Sequence, residues 1–190
     1  MIDLLDQQTV DVKLAEVLLP RAEQIMAELD LVEAEVSLVL CDDAAIQELN
    51  RDWRSLDKPT DVLSFPQDGA VFGSTENTEP VEASVAVEVE DAEGEDVEPP
   101  PIVWPDEDFD DDMPDVLGDV VISVETCLRQ AQECGHSPLD EATRLWIHGL
   151  LHLCGYDHHT EEEAREMRNK EEDLLTLFGE RGTIAPLVTF

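Results

Sequence analysis

Histidine is scarce in this sequence, and four of its five copies, His148, His152, His158 and His159, crowd into the stretch HGLLHLCGYDHH. His148 and His152 lie four apart in a segment with helical apolar spacing, so both imidazoles leave one face and can reach one ion. Gly155 follows where a left-handed residue would end that helix, turning the chain so that His158 returns as a third ligand. Three neutral nitrogens at about 2.0 Å suit zinc, and three protein ligands leave a fourth position for water, the layout of a catalytic rather than a structural site. The expectation is one Zn2+ per chain on His148, His152 and His158. His159 points elsewhere, to the surface or to a supporting contact.

Zinc peptidases place histidines with the spacing HExxHxxGxxH, and here the position of their general base is Gly149. Bound zinc brings the pKa of its water to about 7 without help from a carboxylate. Peptide hydrolysis also needs a proton delivered to a poor amine leaving group, the task of the missing glutamate. Phosphodiester cleavage instead gathers negative charge on nonbridging oxygens and calls for a cation. The stretch NRDWRSLDKPTDVLSFP packs Arg51, Arg54 and Lys58 close together in a chain with only 11 bases. A guanidinium fork holds two phosphate oxygens at once; the bland alternative is that Arg51 or Arg54 pairs with acids on an exposed helix face. Gly149 is expected to leave room for the substrate backbone. Asp157 either orients a ligand histidine or serves a salt bridge or turn, and Asp119 and Ser123 fit strand-end or turn roles at least as well as site roles.

The elements that must position these groups can be read from periodicity. Leu14 to Leu29 has helical spacing interrupted by Pro20, and Glu35 to Leu40 alternates as a strand. Asp42 to Trp53 reads as a helix capped by Asp42 or Asp43, with Ile46 and Leu49 inward, and Asp61 to Phe65 as a strand stopped by Pro66. LGDVVISV, Leu117 to Val124, has the β-branched run of a buried strand; a helix then runs to Cys134 and stops at Gly135. Ser137 caps the helix that carries the histidines, with Pro138 first and Asp140 three residues past the cap. Thr160 and Glu163 form a capping box for a last helix whose Ala164, Met167, Leu174, Leu175 and Phe178 share a face. The fold class expected is α+β, with helices on a small mixed sheet and the three-histidine zinc site at a helix end.

Length and 42% hydrophobic content allow one sizeable core, so residues 1–190 read as a single domain. Residues 69–115 interrupt it. They hold 17 of the 47 acidic residues and none of the bases, leaving 30 acids against 11 bases elsewhere in a chain of net charge −36. Self-repulsion and scarce apolar area predict a disordered acidic insertion. Cys41, Cys127, Cys134 and Cys154 form no CxxC pair and read as reduced thiols, Cys154 as a small buried side chain rather than a ligand. With no bilayer-length apolar run and no secretion-signal pattern, the expected compartment is the cytoplasm. The acidity disfavours nonspecific adhesion to DNA or an anionic membrane.

At these residues the chain resembles the YbeY family. HGLLHLCGYDH is similar to that family's H-G-x-L-H-L-x-G-Y-D-H signature, and DKPTDVLSFP and LGDVVIS resemble its two other blocks, in the same order. The resemblance implies zinc on His148, His152 and His158, and a catalytic arginine at Arg54. It implies a mostly parallel sheet, and a hydrolase that cuts single-stranded RNA, forms the 3′ end of small-subunit ribosomal RNA and serves ribosome quality control. The chain departs from the family pattern in the long acidic connection between its second and third blocks. For so acidic a chain, RNA contact needs a local basic groove, the metal charge, or a partner that presents the RNA, such as a ribosomal subunit or a basic ribosomal protein. Two other readings stay open on the residues alone: a ribosome-assembly factor with structural zinc, and, less favoured, a metallopeptidase.

Overall fold

In a computed structural model the described residues are 1–10, 13–67 and 115–178. The disordered-insertion reading of 69–115 therefore lies outside them, apart from Asp115. Among the described residues, four strands and five helices follow in the order β1 (Ile2–Asp6), α1 (Leu14–Glu28), β2 (Glu35–Cys41), α2 (Asp43–Arg54), β3 (Val62–Pro66), β4 (Val116–Ser123), α3 (Val124–Cys134), α4 (Pro138–Leu153) and α5 (Glu161–Thr176). No helix among the described residues is long and apolar enough to cross a membrane.

The sheet order is β1-β2-β4-β3. β1 with β2 and β2 with β4 run parallel, while β3 joins β4 antiparallel in the register Leu63↔Val121. The mostly parallel α+β arrangement expected from the sequence is thus present. Strand alternation sends Val36, Leu38, Leu40, Val120 and Ile122 to a large core shared with α1 and α4, where Leu18, Ile25, Trp146 and Leu150 are wholly buried. Cys41, Leu63 and Val121 face the other way and meet Ile46 of α2 in a smaller cluster. α2 therefore covers the opposite side of the sheet from α4, and β3 is an edge strand of the sheet among the described residues.

Helix starts follow their expected caps. Asp42, Ser123, Ser137 and Thr160 each accept from the backbone N–H three residues on, and Glu163 completes the capping box. Pro20 does not interrupt α1, which is one continuous helix through it. Pro20 is exposed, so the carbonyl whose intrahelical bond it removes faces water. The buried stripe Leu14, Leu18, Ala22, Ile25 continues past it against the core. β1 was not anticipated, because IDLLD is short and carries acids at two of five positions.

Candidate metal centre and its groove

α4 carries His148 and His152 on one face, one turn apart, near its C-terminal end. The end itself is a Schellman turn: Tyr156 N–H donates to Leu151 O and Gly155 N–H to His152 O, with Gly155 at φ 85°. A side chain at Gly155 would strain that left-handed residue. The turn brings His158 back over the helix, with its ring centroid 5.2 Å from that of His152 and 6.0 Å from that of His148. One nitrogen of each ring lies within 4.8 Å of the others.

The proton positions follow from the partners. His152 Nδ1 lies 3.0 Å from the Tyr156 carbonyl, which can only accept, so that nitrogen carries the hydrogen. His148 Nδ1 lies 2.7 Å from Glu171 Oε1 and donates to it. Both Nε2 atoms then present lone pairs, and they face each other at 3.2 Å. Two lone pairs at that separation repel unless a proton or a cation lies between them. His152 resists taking that proton: burial, then the neighbouring His148 and His158, push its pKa down to about 4, against the opposing pull of Asp157 and the Tyr156 carbonyl. A cation fits, since tetrahedral bonds of about 2.0–2.1 Å put ligand nitrogens roughly 3.3 Å apart. The Nδ1 contacts are also those that fix tautomer and ring orientation in histidine metal sites. The donor set is therefore chemically suited to a metal ion.

Glu171 was not singled out from the sequence. It lies on α5 in the series Ala164, Met167, Glu171, Leu174, and an acid inside an otherwise apolar stripe is the signal that would have found it. Asp157 does not contact a ligand imidazole: its Oδ1 accepts from His158 N and its Oδ2 pairs with the exposed His159. Cys154 stays outside the nitrogen cluster, its thiol pushed up to about 11 chiefly by burial.

Gly149 corrects an expectation. It faces the sheet and not the substrate side, and a Cβ built there would lie 2.6 Å from Val120 Cγ1 and 3.1 Å from Ser64 Oγ. The Ser64 hydroxyl donates to the Gly149 carbonyl at 3.1 Å, tying α4 to β3. The glycine lets the helix approach the sheet closely enough to hold the histidines at its edge. Ser123 likewise serves the scaffold, capping α3 and donating to Asp43, and Asp119 is exposed on β4.

The imidazoles open on a groove of about 540 Å³ whose lining also includes Arg54, Lys58, Thr60, Asp61, Ser64 and Gln130. Arg54, the last residue of α2, thus reaches the same space as the histidines from the other side of the sheet. Ser55 follows at φ 58° and turns the chain back. The next residues are pinned by α2, for Asn50 Nδ2 donates to Lys58 O at 2.8 Å and Gln47 Nε2 to Asp57 Oδ1 at 2.8 Å. Arg51 is paired with Asp52, whereas the side chains of Arg54 and Lys58 pair with no described residue. The acid in the lining, Asp61, is occupied: it accepts from Val62 N, Thr60 Oγ1 and Gln130 Nε2.

The family model described as Endoribonuclease YbeY matches residues 3–179. The chain is 38% identical over 162 residues to Endoribonuclease YbeY of Brevibacillus brevis, covering 85% of this chain and 86% of that protein. With Endoribonuclease YbeY of Geobacillus thermodenitrificans it shares 41% over 163 residues, covering 83% and 84% respectively. The solution structure of TM1509 from Thermotoga maritima has a similar fold, with a TM-score of 0.54 at 24% identity over 95% of this chain and 91% of that one. Fold, motif blocks and relatives agree, and the chain belongs to the YbeY family.

Proposed function

We propose that this chain is a zinc-dependent endoribonuclease that cuts single-stranded RNA in ribosomal RNA processing, at the 3′ end of the small-subunit RNA, and in ribosome quality control in the cytoplasm. The observation that carries the reading is the convergence of three imidazoles on one groove with two cations, Arg54 and Lys58, that pair with no described residue. An ion held by His148, His152 and His158 would supply Lewis acidity and an acidified water near neutral pH. The chain's own residues do the rest. Glu171 and the Tyr156 carbonyl keep the protons of His148 and His152 on Nδ1, leaving Nε2 free as a ligand. Arg54 acts as the catalytic cation, gripping nonbridging phosphate oxygens as charge develops on them, with Lys58 as a second point charge. Asp61 keeps its negative charge in the lining, and its three neutral donors only partly offset it, so the cations must outweigh it for a phosphate to enter. The remaining acidity favours delivery of the RNA by a ribosomal subunit or a basic ribosomal protein.

The test is metal analysis with a ribonuclease assay on the wild type, His152→Ala and Arg54→Ala in parallel. His152→Ala should stay folded, lose bound zinc and lose roughly a thousandfold or more in rate, as several kcal/mol of Lewis-acid stabilisation implies. Arg54→Ala should keep its zinc and lose about 10²-fold or more. A wild type that holds zinc but cuts no single-stranded RNA, or a His152→Ala chain that unfolds outright, would shift the reading to an assembly factor with structural zinc.

A further inference from the structure

Trp53 lies in the last turn of α2, one residue before Arg54, and is 72% exposed. Tryptophan is ordinarily among the better-covered side chains, and Trp146 of this same chain is wholly buried. The described contact of the Trp53 ring is with Phe65 of β3, edge to face at 5.8 Å and 65°. That contact fixes the indole beside β3 and leaves most of its surface in solvent. Arg54 follows Trp53 directly in the chain and, with Lys58, lines the groove, and neither side chain pairs with a described residue.

A solvent-facing indole next to an arginine that lines a groove is what a single-stranded nucleic acid uses as a stacking platform: the cations of the groove take the phosphates and the ring takes a base. In a chain of net charge −36 such a contact has a further use. Stacking adds affinity without adding positive charge, so binding need not rest on electrostatics that the rest of the molecule opposes. We propose that Trp53 forms a nucleobase-stacking subsite, outside the groove and continuous with it through Arg54, for a nucleotide flanking the one that is cut. The proposal rests on the ribonuclease reading and names an additional contact with the same substrate.

Phosphate and base contacts separate by salt dependence. Two cations imply a log–log slope of affinity against salt of about −1.4 for a single strand. The experiment measures binding of the full, metal-loaded chain to a short 2′-O-methyl oligoadenylate and to a base-free ribose-phosphate strand of equal length, over a salt series. Trp53→Ala should bind the oligoadenylate roughly 5- to 150-fold more weakly with its salt slope unchanged. It should bind the base-free strand as the wild type does, and Trp53→Phe should recover most of the loss. Arg54→Ala should weaken both strands and flatten the slope by about 0.7. Equal loss of both strands in Trp53→Ala would overturn the stacking role, as would wild-type binding by that variant while Arg54→Ala fails. So would a Trp53→Ala chain that binds RNA normally but loses self-association or adhesion to anionic vesicles. If the wild type binds neither strand, the ribonuclease reading itself falls.

Discussion

Helix α4 makes a histidine–glutamate contact near each of its ends, and the two behave as opposites. Near its start, His136 Nδ1 meets Glu141 Oε2 at 2.9 Å, and Arg144 closes on the same oxygen at 3.5 Å. Near its finish, His148 Nδ1 meets Glu171 Oε1 at 2.7 Å, and no described arginine or lysine comes to that carboxylate. In the first cluster a carboxylate 2% exposed is shared between an imidazole and a guanidinium 4% exposed, so the charges compensate one another inside the fold. In the second, the carboxylate fixes one proton and thereby turns the opposite lone pair toward two other imidazoles. The pair itself is therefore not the mark of a site. What distinguishes the metal centre is that nitrogens of three imidazoles converge within 4.8 Å of one another.

The contrast breaks most sharply on substitution of Glu141. Glu141→Ala strands the Arg144 guanidinium in the interior, where loss of one partner of a buried pair costs about 3–5 kcal/mol. Denaturant unfolding should show that loss, while zinc content and rate per folded molecule stay at wild-type values. A fall in metal affinity with little change in stability would show the first cluster to be part of the site after all.

Glu171→Gln should do the reverse. The amide can donate as well as accept, so it no longer dictates which nitrogen of His148 carries the hydrogen. Zinc affinity, measured by chelator competition, should drop by about 10- to 100-fold. The unfolding midpoint of the metal-free chain should change far less than in Glu141→Ala. If the two variants lost stability equally and kept their zinc, the distinction between the clusters would collapse.

Legibility in the sequence followed the range of the interaction. The spacing of His148, His152, Gly155 and His158 is local, and the helix and its Schellman turn convert it directly into geometry. Caps at Asp42, Ser123, Ser137 and Thr160 are local too, and the element limits follow them. Arg54 could be named but not placed, since its arrival in the groove depends on α2 covering the other side of the sheet. Glu171 is 23 residues from the imidazole it holds, and only its break in an apolar stripe hinted at it. Gly149 was read by analogy with a protease base when its meaning was tertiary, contact with Val120 and Ser64 on strands far away in sequence. Pro20 misled for the related reason that local propensity ignores which face meets the core.

Acid titration gives the gentlest probe of the same contrast. Burial and two neighbouring imidazoles lower the His152 pKa to about 4, below the ordinary histidine value near 6.5. Between those values the unfolded chain binds a proton at this position that the folded chain refuses, so acid favours unfolding. The metal-free protein should accordingly lose stability as pH falls from about 6.5 to about 4, with this contribution levelling off below. Zinc requires neutral imidazoles, so its affinity should fall over the acid range as protons compete for the same lone pairs. Chemical unfolding of the metal-free chain at stepped pH measures the first effect, and replacing His152 with Ala should remove that part of the slope while Glu141→Ala leaves it in place. A His152→Ala chain with the full wild-type slope would mean that acid acts elsewhere, and the lone-pair cluster would lose its claim to be the proton-refusing end of α4.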